Sequence, residues 1–450
     1  MNIITAILPA LVILLFILNI FYNGNTVQSC LFFILCMLPF MDLKITKEAW
    51  GGFKMFDALC FYCLVFLLKD FTTINLKHRN NFYLLLFMAL GIVVLLGGLL
   101  SEFPGKAYLN LVKIFPIFIF GRFLLTECFR DNLFHIKAIK ALKISYLISL
   151  AFLAVQVVIG LKFTFYSELS PNTIDPVFHI VRYPGVFYDS QGHGQYLAMG
   201  SFLFLYPEPG RSRRNMYLNY LVFALAIIAI NLAGSRSAFG GFVIGAVISF
   251  FIAAGRYRMI GAIALVAAGS LFTTISIHSG VFDRAKNISD DLQFRQGLWT
   301  EAYQIADKHP WLGIGSGNYQ NYVIRHNQNQ YLEIESGQRI YFDQPENGYL
   351  KIMVELGFTG FGIFILFMLV PLVKGFKAAI VYNETKVAFL LASLVCWLVA
   401  FNTVYSIYDY RIFIVVVSMV VLIITYPENE YDEEDLADEP AYQLNETYEI

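Results

Sequence analysis

Glu346 is the residue of this chain best suited to take up a proton. It stands in Pro345-Glu346-Asn347-Gly348-Tyr349-Leu350, just ahead of an apolar run from Tyr349 to Val373. A carboxylate at such an edge can act as a general base toward a hydroxyl, and partial burial would raise its pKa toward a useful range. The plainer role is a first-turn glutamate facing a helix dipole, with Asn347 as the cap. Three arginines offer anion chemistry. Arg236 stands in Ala233-Gly234-Ser235-Arg236-Ser237-Ala238, where two apolar runs meet. Its planar fork suits a phosphate, and equally a lipid headgroup to which it snorkels. Arg182 lies in Val181-Arg182-Tyr183-Pro184-Gly185-Val186-Phe187-Tyr188, either one charged finger in a shaped wall or a solvated loop residue. Arg295 shares a helical face with Trp299, so it can meet an anionic ligand or a headgroup.

Gly313-Ile314-Gly315-Ser316-Gly317-Asn318 superficially resembles a phosphate-cradling loop. It follows no strand and no Lys-Ser or Lys-Thr closes it, which argues against a nucleotide. Gly313, Gly315, Gly317 and Asn318 are better read as shaping a tight turn, whose backbone N–H groups can still meet an anion. The histidines at 78, 135, 178, 193, 278, 309 and 326 show no ligand spacing, and only His326 shares the loop of Glu346 closely enough to test. Cys60-Phe61-Tyr62-Cys63 lacks a second pair or a nearby histidine. No metal and no cofactor are expected, and the six cysteines read as small apolar side chains in helices.

The elements that must position these residues are membrane helices. The chain has 450 residues, is 58% hydrophobic and 14% charged, and has a mean hydropathy of +0.61. A soluble domain carries roughly 25% charged residues. The net charge of −1 gives no argument for nucleic acid, and 43 Phe and 27 Tyr suit lipid-facing and interfacial positions. Apolar runs fall at 3–22, 28–41, 55–69, 82–101, 107–126, 141–163, 192–206, 216–233, 236–254, 258–277, 347–373, 385–403 and 409–426. The second and third are short, so the expectation is an all-α polytopic membrane protein of about 12 spanning helices. Long continuous runs without period-two alternation argue against a barrel. The first run, Ile3 to Phe21, has no basic flank or clear cleavage site and reads as a retained span.

Basic clusters at Lys77-His78-Arg79, Lys137 to Lys143, Arg211 to Arg214, Arg256 with Arg258, and Lys374 with Lys377 fall on one side, which is then the cytoplasm. Lys44, Lys47 and Lys54 depart from that pattern. The expected organisation is N-terminal spanning helices over 1–277, a large extracytoplasmic loop with short helices over 278–346, C-terminal spans over 347–426, and an acidic, disordered cytoplasmic tail over 427–450. Within the loop, Ser289-Asp290-Asp291 marks a helix start and His309-Pro310 its end. Leu298, Ala302 and Ile305, with Trp299 and Tyr303 widening the face, make it amphipathic, lying on the membrane or on the bundle. No internal repeat is evident, which weighs against a transporter of inverted repeats.

Taken in order, these pieces resemble the O-antigen ligase and polymerase family of bacterial envelope glycosyltransferases. The matching stretches are Arg182 to Phe187, Gly234 to Ala238, Arg295 to Trp299, His309 to Asn318, Glu346 to Leu350, and Glu355-Leu356-Gly357-Phe358-Thr359-Gly360. The resemblance is strong over roughly 180–375 and architectural before that. It implies a multi-pass protein of the inner membrane, with its active site facing the periplasm. The donor would be a glycan on undecaprenyl pyrophosphate, transferred with inversion and without metal or nucleotide sugar. Arg182, Arg236 and Arg295 would hold the diphosphate, Asn347 and Tyr349 would line the substrate, and Glu346 would be the base. A chain-length regulator is an implied partner, with membrane lipids around the protein and no nucleic acid. Ligases of the family typically carry His-Asn where this chain has Glu346-Asn347. That departure leans toward a polymerase of repeat units, with a ligase acting on lipid A-core or another acceptor as the alternative and a polysaccharide transporter or flippase as a third.

Overall fold

The computed structural model describes residues 3–45, 52–66, 81–166, 168–174, 180–208, 212–252, 288–326, 331–333 and 339–437, with scattered positions between 259 and 270. The expected span 258–277 therefore lies largely outside the described residues, as do Lys47 and 438–450.

The helices follow the apolar runs. They are α1 (Ile3–Asn23), α2 (Val27–Cys36), α3 (Met55–Phe66), α4 (Asn81–Leu100), α5 (Pro104–Arg130), α6 (Asn132–Ile159), α7 (Ser190–Ser201), α8 (Arg213–Ala233) and α9 (Arg236–Ile252). After them come α10 (Ile288–Lys308), α11 (Tyr319–Arg325), α12 (Gly348–Val381), α13 (Thr385–Phe401) and α14 (Tyr410–Ala437). Five of these, α4, α5, α6, α8 and α12, are long and apolar enough to cross a membrane. Six shorter apolar helices stand beside them. The last helix runs on to Ala437, into the segment expected to be a disordered tail. The one sheet among the described residues is a small antiparallel hairpin, β1 (Tyr331–Glu333) and β2 (Arg339–Tyr341), with Leu332 opposite Ile340.

Caps define where several elements begin. Asp131 starts α6 by accepting the Leu133 N–H at 2.8 Å, and Asp189 starts α7 by accepting that of Gly192 at 3.1 Å. Small residues set the central seam. Gly241 of α9 lies so close to α13 that a Cβ would stand 2.4 Å from the Cys396 carbonyl oxygen. Close backbone approach of this kind replaces the hydrophobic drive that lipid cannot supply. Most exposed large apolar side chains, such as Leu85, Leu99, Val112, Leu221 and Leu369, lie on helices long enough to span, as lipid-facing residues should.

Helix α10 packs on the bundle. Leu298, Ala302, Ile305 and Ala306 are buried, and the last three cluster with Ile314, Tyr319, Val323, Met353 and Val354. Tyr303 corrects the sequence expectation, because it is 58% exposed. At about 100° per residue it stands about 140° from Leu298, off the buried face.

Candidate functional site

The glycine turn is built against a kink in α12. Gly357 has φ 67°, which interrupts the helix and leaves room for the Trp311 carbonyl. The turn then docks like an added strand. Ile314 N–H donates to the Val354 carbonyl at 3.0 Å, Gly315 N–H to that of Glu355 at 3.0 Å, and Phe358 N–H to that of Pro310 at 2.7 Å. The Glu355 side chain is buried and accepts the N–H groups of Gly317 (2.7 Å) and Tyr319 (3.4 Å). These N–H groups are thus directed at a carboxylate of the chain itself. Gly313 donates to the His309 carbonyl, and the Asn318 amide donates to Ser101 Oγ at 2.7 Å, tying the turn to the end of α4.

Beyond the turn the chain returns to α12. Asn347 caps that helix, its Oδ1 accepting the N–H groups of Tyr349 (3.0 Å) and Leu350 (3.1 Å). Its Nδ2 donates to Asn402 Oδ1 at 3.1 Å. The Tyr349 hydroxyl donates to the Leu398 carbonyl at 2.8 Å, so this ring braces α12 on α13. Glu346 itself takes φ 51°, one of two non-glycine residues with left-handed backbone among those described. Its carboxylate meets the guanidinium of Arg295 at 3.8 Å, with both side chains about one-quarter exposed (28% and 22%). Two predicted residues that are 51 positions apart in sequence thus converge at the start of α12. Tyr319 lies fully buried beside them. Burial, and then the carboxylates of Glu301, Glu355, Asp343 and Glu346, push its phenol above the ordinary range, so it stays neutral.

Arg182 lies against a second turn, the one that leads into Arg236. The Arg182 stem lies on Gly234, where a Cβ would stand 2.9 Å from its Cγ, and Tyr183 N–H donates to the Leu232 carbonyl at 3.0 Å. Arg236 is exposed and opens α9. A cation at a helix N-terminus adds to the positive end of the dipole, which favours an anion in front of it. The C-terminal end of α13 connects the two turns. Gln195 of α7 donates to the Ala400 carbonyl at 3.5 Å, two residues before the Asn402 that Asn347 contacts.

Residues without a role in the sequence reading complete the scaffold. Arg411 is 2% exposed and forms ion pairs with Asp409 (2.6 Å) and Asp42 (3.7 Å). It also donates to the Val186 carbonyl and lies over the Phe187 ring, 3.9 Å from its centroid. The loop carrying Arg182 is therefore pinned from α14. Glu355 and Lys351 carried a visible signal, as charges one turn apart inside an apolar helix.

Next to the turn, an apolar cavity of about 150 Å³ runs between α4, α5, α12 and α14. Arg122, Ser316, Glu355 and Tyr405 are among its polar lining, and Phe87, Ile117, Phe367 and Val420 among its apolar walls. Among the described residues no cluster of three metal-binding side chains occurs. His326 instead contacts Glu102 at 2.9 Å.

No curated protein matches the chain. The family model described as O-antigen ligase matches residues 221–365, a segment that holds Arg236, Arg295, Glu346, Asn347, Tyr349 and the glycine turn but not Arg182. Over that segment, about a third of the chain, the protein is similar to the O-antigen ligase family, which supports the resemblance read from its motifs.

Proposed function

We propose that the protein polymerises glycan repeat units carried on undecaprenyl pyrophosphate, at the outer face of the inner membrane. The observation that carries this reading is the meeting of Arg295 with Glu346 at the capped start of α12. A carboxylate and a guanidinium at one point supply the two groups that an inverting transfer from a lipid diphosphate requires. Glu346 removes the proton from the acceptor hydroxyl. The oxygen attacks the anomeric carbon, and the bond from that carbon to the diphosphate oxygen breaks. Lipid diphosphate departs with the electron pair, its charge stabilised by Arg295, Arg236 and Arg182. Asn347 and Tyr349 hold the local backbone in register, and the cavity beside Glu355 receives apolar tail. No cofactor enters this scheme, and a chain-length regulator would act on the polymer, not on the chemical step.

The family description names a ligase, and that supports a second reading in which one finished glycan passes to lipid A-core or another acceptor. Reconstitution with a lipid-linked repeat unit separates the two, since a polymerase gives a ladder and a ligase a single transfer. In the same assay Glu346→Gln is expected to slow product formation by about 10²-fold or more. Product at the unaltered rate would remove Glu346 from the mechanism.

A further inference from the structure

His193 is a buried histidine to which the transfer scheme gives no part. It lies on α7 and is 0% exposed. Its Nδ1 stands 3.2 Å from the Tyr183 carbonyl oxygen. A carbonyl only accepts, so Nδ1 carries the proton and donates. On the other side of the ring, Nε2 meets Ser149 Oγ of α6 at 3.3 Å. The ring stacks on Phe187, with centroids 5.4 Å apart and planes at 27°. Its Cε1 edge lies against Gly185, where a Cβ would stand 2.3 Å away. Gly185 also has φ 58°, so glycine is required there on both counts. Held by two hydrogen bonds, a ring face and a backbone edge, the imidazole cannot turn without losing its polar contacts.

The bond to Tyr183 falls at the residue that follows Arg182. Arg182 N–H donates to the Thr173 carbonyl at 2.8 Å, and Tyr183 N–H to that of Leu232 at 3.0 Å. With His193 holding the Tyr183 carbonyl, the backbone on both sides of the arginine is fixed. Of these three bonds, only the one from His193 is made by a side chain, so it is the one that residue type decides. The Arg182 stem leaves this anchored backbone to lie on Gly234, in the turn that leads into Arg236. We propose that His193 is a positioning residue for the donor diphosphate, setting the place of Arg182 through the Tyr183 carbonyl. The proposal rests on the reading in which Arg182 holds that diphosphate. It adds the group that pre-organises the arginine, at a site where a shift of about 1 Å costs up to about 10²-fold in rate. Packing alone asks for an apolar side chain of like volume, and no such side chain offers the N–H that the carbonyl takes up here.

The test is equilibrium binding of farnesyl diphosphate to the full-length protein in zwitterionic nanodiscs, with farnesol as the control that keeps the tail and lacks the diphosphate. Asparagine can place an amide N–H where Nδ1 stands, whereas glutamine reaches the Nε2 position and serves Ser149 only. His193→Asn is therefore expected to bind the diphosphate within about twofold of the wild type, and His193→Gln about tenfold more weakly. Farnesol should bind all of them alike. Arg182→Ala should itself lose about tenfold, and adding His193→Gln to it should cost no more than about twofold further, because the two act in series. Wild-type affinity in His193→Gln, equal loss in the Asn and Gln variants, a parallel loss for farnesol, or full additivity with Arg182→Ala would each overturn the proposal. If His193→Gln melts markedly lower, Ser149→Ala carries the test. It frees only the far side of the ring and should lose about threefold at an unchanged melting temperature, and wild-type affinity there would overturn the proposal. Wild-type affinity in Arg182→Ala would remove Arg182 from the donor site, and this inference with it. None of these results bears on Glu346, which the transfer assay tests.

Discussion

Glu346 carries its carboxylate on a backbone that non-glycine residues rarely adopt. At φ 51° the chain turns sharply after Pro345, and Asn347 follows in the extended conformation that a cap requires. Such a residue costs about 1–3 kcal/mol and persists where the side chain is needed. Glu346→Gly is therefore expected to leave the melting temperature unchanged or slightly raised while abolishing transfer; a clear loss of stability would show that the side chain matters chiefly for folding. The sequence already pointed to this residue, through a proline before it and a cap and apolar run after it. It could not show the approach of Arg295, because an ion pair between separate segments leaves no local spacing. Glu355 was legible as the first residue of a stretch that resembles the family, with no partner indicated. Its capture of two N–H groups of the glycine turn arises from the kink at Gly357, a conformation that no periodicity announces.

At the scale of elements, the turn and the kinked helix form one unit. Gly317 is its tightest point, with φ 74° and space for a Cβ only 1.6 Å from the Asn110 amide nitrogen. Gly317→Ala should destabilise the protein by about 1–3 kcal/mol, seen as a lowered melting temperature in detergent. Gly362, on the same helix α12 with nothing within 4 Å of a Cβ, serves as the control and should tolerate alanine. Equal effects at the two positions would mean that close packing does not explain the turn. Helix α10 was readable to its end at His309-Pro310, because Leu298, Ala302 and Ile305 repeat at the helical period. Tyr303 was assigned to the wrong face by extending that stripe too far. Whether the helix lay on lipid or on protein was beyond the pattern, since both present an apolar surface; burial against Ile314, Met353 and Val354 decides for protein.

For the whole molecule, composition and run length made the helical membrane architecture legible, and most observed helices begin within a few residues of the apolar runs. The cavity was not legible, because two separate stretches of the chain, α4–α5 and α12–α14, enclose it. If it receives the isoprenoid, filling it should matter more as the tail lengthens. Ile117→Trp and Val420→Trp are expected to raise the KM for a long-chain donor by about tenfold and to affect a short-chain analogue less. An equal rise for both would detach the cavity from the tail. The buried Arg411 has a consequence of another kind. It lies near the end of the chain, yet it fastens Val186 and Phe187 and also reaches Asp42. Synthesis runs from the N-terminus, so this turn, held first through Gln156 and Leu232, gains the Arg411 clasp only once α14 has been made. A chain still on the ribosome, before α14 has been inserted, therefore has the loop of Arg182 without its clasp from Arg411.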